Sequence, residues 1–435
     1  MMTMFLGGAL LPHPPILLPA IGQGRESEAA ATLRACEEAA REIASWEPEV
    51  LVLMSPHAPS KARSVAVNSS KSLQGTFRSF GFPEEAQYWN GAPELAERLV
   101  AAWGRGGISC QEHEQELDHG ALVPLHFLAQ AGCKAKVVTV SFGALAQRQY
   151  YEMGQMLRRL ILAGTQRVAV IASGDLSHRV TRNAPAGYHP AGAQFDKLVV
   201  AALGQGDAET LLRLPWELQE EAGECGLRAI LFLLGASGPE PLIRQLSYEA
   251  PFGVGYAVAL TQENPQLVLP VDLAWRSIRH YLRQRTLWQG PAELPEEWKR
   301  PGAAFVSLKK EGRLRGCIGT FAPTQTTLAA EIIRNAVLAA TEDPRFEPVR
   351  EDELQALQLS VDVLSEPEKV ESASQLDPKE YGVIVQQGHR RGLLLPDLEG
   401  VETVEEQLRI AKGKAGIAET EVVELFRFCV RRYSV

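Results

Sequence analysis

Cysteine is scarce in this chain and poorly spaced for pairing. Six of them (Cys36, Cys110, Cys133, Cys225, Cys317 and Cys429) are scattered over 435 residues with no Cys-X-X-Cys spacing, so the sequence spells neither a disulfide framework nor a thiolate cluster and fits a reducing cytoplasm. Positive charge is also in deficit: 44 Lys and Arg stand against 53 Asp and Glu, a formal net charge of −9. Without a basic field to collect phosphates, nucleic acid is not expected as a partner. No uncharged apolar run reaches the roughly 18 residues of a membrane span. The opening MMTMFLGGALLPHPP has no cationic segment ahead of its apolar residues and is soon broken by proline, so neither a secretory leader nor membrane association is expected. Repeats, low-complexity tracts and long blocks of like charge are missing too. Histidine is sparse, with 9 in the chain, which gives weight to places where several fall at equivalent positions.

What is present is an ordinary globular composition, 45% hydrophobic and 22% charged. At roughly 150 residues per domain the length predicts two or three domains, each able to bury a core. In the first half, MFLGGALL, EVLVLMSP, KVVTVSF, RVAVIASGD and GVGYAVAL are too continuously apolar to have a solvated face and read as buried strands. Between them ATLRACEEAAREIASW, PELAERLVAAWG, YYEMGQMLRRLILAG and AQFDKLVVAAL carry the helical period. This alternation predicts an α/β domain over residues 1–262, a central mainly parallel or mixed sheet flanked by helices. Polar residues and prolines in TQENPQLVLP mark a joint, placed at 263–270. From 271 to 435 the pattern changes to paired strands, with Gly312 and Gly388 at hairpin turns, and helices at VDLAWRSIRHYLRQRT, TTLAAEIIRNAVLAATE and VEEQLRIAKGKAG. That second part reads as α+β.

The chemistry is expected at strand ends of the first domain. In LLPHPPILLP, prolines on both sides of His13 forbid a continuing helix or central strand and hold the imidazole on a stiff loop. His57 follows the next strand in LMSPHAPS, Asp175 and His178 follow another in SGDLSH, and LDHGALVPL places Asp118 and His119 at a helix start, with Asp118 at the N-cap. Ligands of open α/β sheets bind outside the carboxyl ends of strands, so these groups are candidates to converge. A lone histidine at a strand end is more often a capping or hydrogen-bonded residue, and His113, His126, His189, His280 and His389 are read that way, with His189 kept as a minor site candidate because it follows His178 closely in sequence. Two histidines and a carboxylate would make a facial triad that leaves ferrous iron open to a chelating substrate and O₂. Glu221, Glu224 and Cys225, at the start of the apolar helix in EEAGECGLRAILFLLGAS, are the candidates for the third ligand.

In chain order, LLPHPPILLP, LMSPHAPS, LDHGALVPL, SGDLSH and AGECGLRAILFLLGA resemble the class III extradiol ring-cleavage dioxygenases of the LigB type and their Memo relatives. The resemblance implies that His13 and His57 are metal ligands, that His178 is the catalytic acid/base, and that His119 lines the pocket behind them. The third ligand is a glutamate in the dioxygenases and a cysteine in Memo-type proteins, and this chain offers Glu224 followed at once by Cys225. Glu224 is taken as the metal ligand because a hard carboxylate suits Fe²⁺, whereas Cys225 would favour copper or zinc. The implied reaction is ring cleavage of a catechol-like aromatic substrate, in which the metal lowers the pKa of the bound hydroxyls and His178 moves a proton. The alternative is a Memo-like metal-binding redox or scaffold protein without turnover of that kind; zinc hydrolase chemistry on the same ligands is a third reading.

In the second domain, LRGCIGTF sets Cys317 between Gly316 and Gly319, where small residues let another backbone or a ligand come close. The thiol is read as a small buried hydrophobe ahead of a reactive group. With NAVLAATEDPRFEPV, LSVDVLSEP and GVIVQQGHRRGLLLP, this string resembles the AMMECR-type domain of the AmmeMemoRadiSam system. That resemblance implies a radical-SAM protein as partner and names no reaction.

Overall fold

The computed structural model describes residues 4–58, 64–238, 240–262, 264, 270–310, 312–398 and 400–434. The chain divides into two compact units, Met1–Asn264 and Pro265–Val435. Of the expected joint 263–270, only Asn264 and Pro270 fall among the described residues. No helix of the described residues is long and apolar enough to cross a membrane.

Among its described residues the first unit contains ten strands: β1 (Phe5–Leu11), β2 (Val50–Ser55), β3 (Val65–Asn68), β4 (Ser72–Phe77), β5 (Phe82–Asn90), β6 (Cys110–His113), β7 (Lys136–Ser141), β8 (Val168–Ser173), β9 (Leu242–Glu249) and β10 (Tyr256–Gln262). Eight form one sheet in the order β6-β3-β7-β2-β8-β1-β10-β9, and β4 and β5 make a separate two-stranded ribbon. The middle four, β7, β2, β8 and β1, are parallel, while β10 and β9 add antiparallel strands at one side and β3 pairs antiparallel with β7 at the other. The sheet is therefore mixed.

Continuous apolar runs make the central strands because helices cover both faces. Along β2, Val50, Val52 and Met54 enter one core with the helices Pro93–Arg105, Gln147–Ala163 and Leu227–Ser237. Leu51 and Leu53 enter the other, with the helices Ala30–Ser45 and His119–Gln130. This is strand periodicity with both faces buried. Parallel pairing brings the carboxyl ends of β1, β2 and β8 to one edge, where Leu11 lies opposite Ser173 and Met54 opposite Ala172. His13, His57 and Asp175 each follow their strand's last residue by two positions.

The second unit contains β11 (Ala303–Lys310), β12 (Arg313–Gly319), β13 (Leu357–Leu364), β14 (Glu368–Val370), β15 (Gly382–Gln387), β16 (Arg390–Leu394), β17 (Glu424–Phe428) and β18 (Val430–Ser434). They form two antiparallel sheets, β12-β11-β13-β18 and β14-β17-β15-β16. Helices Pro270–Gln284 and Leu328–Thr341 cover the first sheet, and Val404–Lys414 covers the second, which makes the unit α+β. The two predicted hairpin turns hold Gly312 at φ +76° and Gly388 at +59°, backbone that glycine adopts without a Cβ penalty. All six cysteines are free thiols.

Candidate metal centre at the strand ends of the first unit

His13 stands at the middle of the cluster and is 2% exposed. Its Nε2 lies 3.0 Å from His57 Nε2 and 3.7 Å from Cys225 Sγ. Its backbone N–H donates to Asp175 Oδ1 at 3.0 Å, and its Nδ1 lies 3.0 Å from Ser173 Oγ. The ring of His119 stacks on that of His57 at 4.2 Å between centroids and meets His13 edge-on at 5.5 Å. Among the described residues two groups of potential metal donors result, His13–His57–His119 and His13–Asp175–Cys225, each with its donor atoms within 4.8 Å of one another.

The surrounding scaffold holds these rings in place. Ser55, the last residue of β2, donates to Asp118 Oδ1 at 2.6 Å and accepts the His57 N–H at 3.3 Å. Asp118 occupies the expected N-cap position of His119–Gln130, but its carboxylate serves Ser55 and makes no side-chain cap bond. Gly120 leaves room for that pair: a Cβ there would lie 2.4 Å from Ser55 Oγ and 2.8 Å from Asp118 Oδ1 and would push the two side chains aside. At the tip of the β4–β5 ribbon the half-exposed Phe80 sets its ring edge-on to His119 at 5.0 Å.

His178 lies on the other side of Asp175. Its Nδ1–H donates to the Gly223 carbonyl at 2.6 Å, since a carbonyl can only accept, and its Nε2 lies 3.8 Å from Asp175 Oδ2. Burial, then the neighbouring imidazoles, holds His13 well below the usual histidine range. Burial lowers His57 as well, against the pull of Asp118, and puts His119 at about 4. Three neutral imidazoles on one small volume present lone pairs rather than charges, which is the protonation state that binds metal. Burial pushes Asp175 up to about 6, partly offset by His178 and the His13 N–H, and it pushes the Cys225 thiol well above its ordinary value.

Of the expected ligands, the structure brings His13 and His57 together and turns Glu224 elsewhere. The Glu224 carboxylate accepts the Leu227 N–H at 2.7 Å, capping Leu227–Ser237, and stands 3.6 Å from Arg228 Nη1. Glu224 pairs with Ser177 in an isolated antiparallel bridge, so successive side chains leave on opposite sides and Cys225 takes the side facing His13. His189 caps the helix Pro190–Gly204, its Nδ1 accepting the Ala191 N–H at 3.3 Å. Ser173, Ser55 and Phe80 were not legible as parts of the site. The only hint in the sequence is a serine closing each of two otherwise apolar strands.

Asp196 supports the SGDLSH loop from below, fully buried, accepting the Ser177 N–H at 2.8 Å and the Tyr248 hydroxyl at 2.8 Å. Burial raises its carboxyl to about 6 against those hydrogen bonds. The folded state therefore binds a proton more tightly than the unfolded chain, whose carboxyl titrates near 4, and this group's contribution to stability declines as pH rises through roughly 4 to 6. Asp196→Asn retains an acceptor for Ser177 and removes the buried charge. The expected result is a flatter stability profile across that window and a gain on the order of 1–3 kcal/mol at pH 7, measured by urea unfolding at several pH values. A profile parallel to wild type would show that Asp196 ionises without cost.

In the second unit, Ser307 donates to Cys317 Sγ at 3.2 Å and the Cys317 N–H donates to Asp343 at 2.8 Å. His389 sits in the β15–β16 turn, in the other sheet.

Comparison with known proteins follows this division of the chain. The family model of the catalytic LigB subunit of aromatic ring-opening dioxygenase matches residues 7–259. The AMMECR1 model matches residues 271–434. A protein of Clostridium acetobutylicum is 37% identical, the match covering 98% of each chain. A Thermotoga maritima protein is 57% identical over 38% of this chain and 95% of its own. The crystal structure of an uncharacterized Pyrococcus horikoshii protein aligns at 31% identity over 38% of this chain and 88% of that one, with a TM-score of 0.36.

Proposed function

Because the chain belongs to the LigB family, with an AMMECR1 domain following its LigB domain, we propose that the strand-end cluster binds one transition-metal ion centred on His13, the residue common to both donor groups, with His57 from one group and Cys225 from the other drawing in to complete the set, and serves oxidoreductase chemistry on a small ligand. The observation that carries this reading is His13 Nε2 lying 3.0 Å from a second imidazole nitrogen and 3.7 Å from a thiol. Two imidazoles and a sulfur are a softer donor set than two imidazoles and a carboxylate, and they suit copper or zinc better than Fe²⁺. When bound, the metal supplies Lewis acidity and, for copper or iron, an electron.

The chain's own residues then have distinct tasks. His178, its Nδ1–H held by Gly223, keeps Nε2 as the proton acceptor nearest Asp175 and is the group to take a proton from an acidic ligand. Asp175 orients both His13 and His178. His119 walls the cluster and, with Phe80, gives an approaching ligand an aromatic face.

Ferrous ring cleavage of a catechol-like substrate is the second reading, favoured by the LigB match and by His178 standing beside the cluster. A radical-SAM protein is proposed as partner on the strength of the two-domain arrangement alone.

Anaerobic purification followed by elemental analysis tests the first reading: about one equivalent of copper or zinc per chain is expected. Iron as the resident metal, with oxygen uptake and a ring-opened product across a panel of catechols, would replace it with the second reading. Failure to hold any of the three metals would remove both.

A further inference from the structure

This inference rests on the metal-binding reading of the His13–His57 cluster and concerns what prepares His13 for it. We infer that Ser173 is a positioning residue that fixes His13 as the Nδ1–H tautomer, so that Nε2 faces the cluster as a lone pair, and that Pro124 is the reason Ser173 is committed to this task.

The argument begins in the helix His119–Gln130, which contains a proline at position 124. A helical carbonyl ordinarily accepts the N–H four residues further on, and for Gly120 that residue is Pro124, which has no N–H. A buried carbonyl without that partner needs another donor. Ser173, at the carboxyl end of β8 and itself fully buried, supplies it: Ser173 Oγ donates to the Gly120 carbonyl at 2.5 Å. A serine hydroxyl has one proton. With that proton given to Gly120, Ser173 Oγ can only accept from His13 Nδ1, which lies 3.0 Å away.

The proton of the neutral His13 ring is therefore on Nδ1. Its Nε2, the atom nearest His57 and Cys225, is left as a lone pair. A proline in one element thus sets the tautomer of a ligand in another, through one hydroxyl. Without the hydroxyl, His13 Nδ1–H would have no acceptor, and the proton would move to Nε2, where Asp175 Oδ2 lies at 3.9 Å and a cation would have to displace it.

The test uses the full chain with ¹⁵N-labelled histidine. A long-range ¹H–¹⁵N correlation of the metal-free protein reads the His13 tautomer, and competition with a chromophoric chelator reads its Zn²⁺ affinity. Wild type is expected as Nδ1–H. Ser173→Ala should shift His13 toward Nε2–H and weaken Zn²⁺ binding on the order of 10–100-fold, the usual effect of losing a group that orients a ligand. Ser173→Thr, which retains the hydroxyl, should restore both. Should the alanine variant not fold, Ser173→Cys fills the space with a weak acceptor and should shift both readouts in the same direction.

A wild-type His13 found as Nε2–H, or a Ser173→Ala protein with unchanged tautomer and affinity, overturns the inference. If wild type shows Nδ1–H, and loses it in Ser173→Ala, yet binds no Zn²⁺, the role of Ser173 stands and the metal reading of the cluster falls.

Discussion

Cys225→Ser is expected to strip the first unit of its metal, lowering occupancy at least ~10-fold after anaerobic desalting, while Glu224→Ala keeps it. The two residues are adjacent but do different work in the fold. Cys225 Sγ lies against His13 Nε2, whereas the Glu224 carboxylate caps Leu227–Ser237 and faces Arg228. Losing that cap should cost about 0.5–2 kcal/mol of stability with no loss of metal. Elemental analysis and urea unfolding on the same two preparations separate the effects.

Loading should also depend on pH in a definite direction. Burial holds the Cys225 thiol well above its ordinary pKa, so it is protonated at neutral pH and the metal must displace that proton. Affinity should therefore rise with pH in wild type and lose most of that slope in Cys225→Ser. The opposite pattern, metal lost from Glu224→Ala and retained in Cys225→Ser, would return the site to a two-histidine, one-carboxylate set.

Gly316→Ala is expected to destabilise the second unit by about 3 kcal/mol, at the upper end of what overpacking costs. Gly316 lies on β12 opposite Leu308, and a Cβ there would be 2.1 Å from the backbone carbonyl oxygen of Ala339 in the helix Leu328–Thr341. Backbone cannot turn aside as a side chain can, so the helix or the strand must shift and the core holding Ile332 and Ala336 loosens. Gly413→Ala is the control. Its site in Val404–Lys414 is open, with nothing within 4 Å of a Cβ, and helix propensity favours alanine there by up to about 1 kcal/mol. Hydrogen exchange read by mass spectrometry over 303–341 should rise sharply in Gly316→Ala and stay unchanged in Gly413→Ala.

Gly316 also shows how far a sequence motif can be read. Glycines flanking Cys317 imply close approach of something, and the approaching groups are the carbonyl of Ala339 beside Gly316 and the ring of Phe305 beside Gly319. Both are parts of the chain's own packing. The residue types were legible in LRGCIGTF, and Phe305 is the partner of Gly319 across the predicted hairpin, whereas Ala339 comes from a helix beyond that hairpin and local pattern does not announce it.

The strand ends behave similarly. Apolar runs such as VLVLMS and VAVIAS announce buried parallel strands, and the prolines around His13 announce the end of one. Ser173 is different, since its partner Gly120 is 53 residues away and its importance comes from a proline in another element.

By itself, then, the order of residues determined the two fold classes and the placing of His13, His57 and His178 just beyond strands. These follow from local periodicity and backbone restriction, which act over a few residues. Tertiary structure alone decided that Cys225 rather than Glu224 turns toward His13, that His119 stacks on His57, and which nitrogen of His13 carries the proton. Each of those depends on parallel register and on hydrogen-bond partners supplied by distant segments, and short-range pattern carries no record of either.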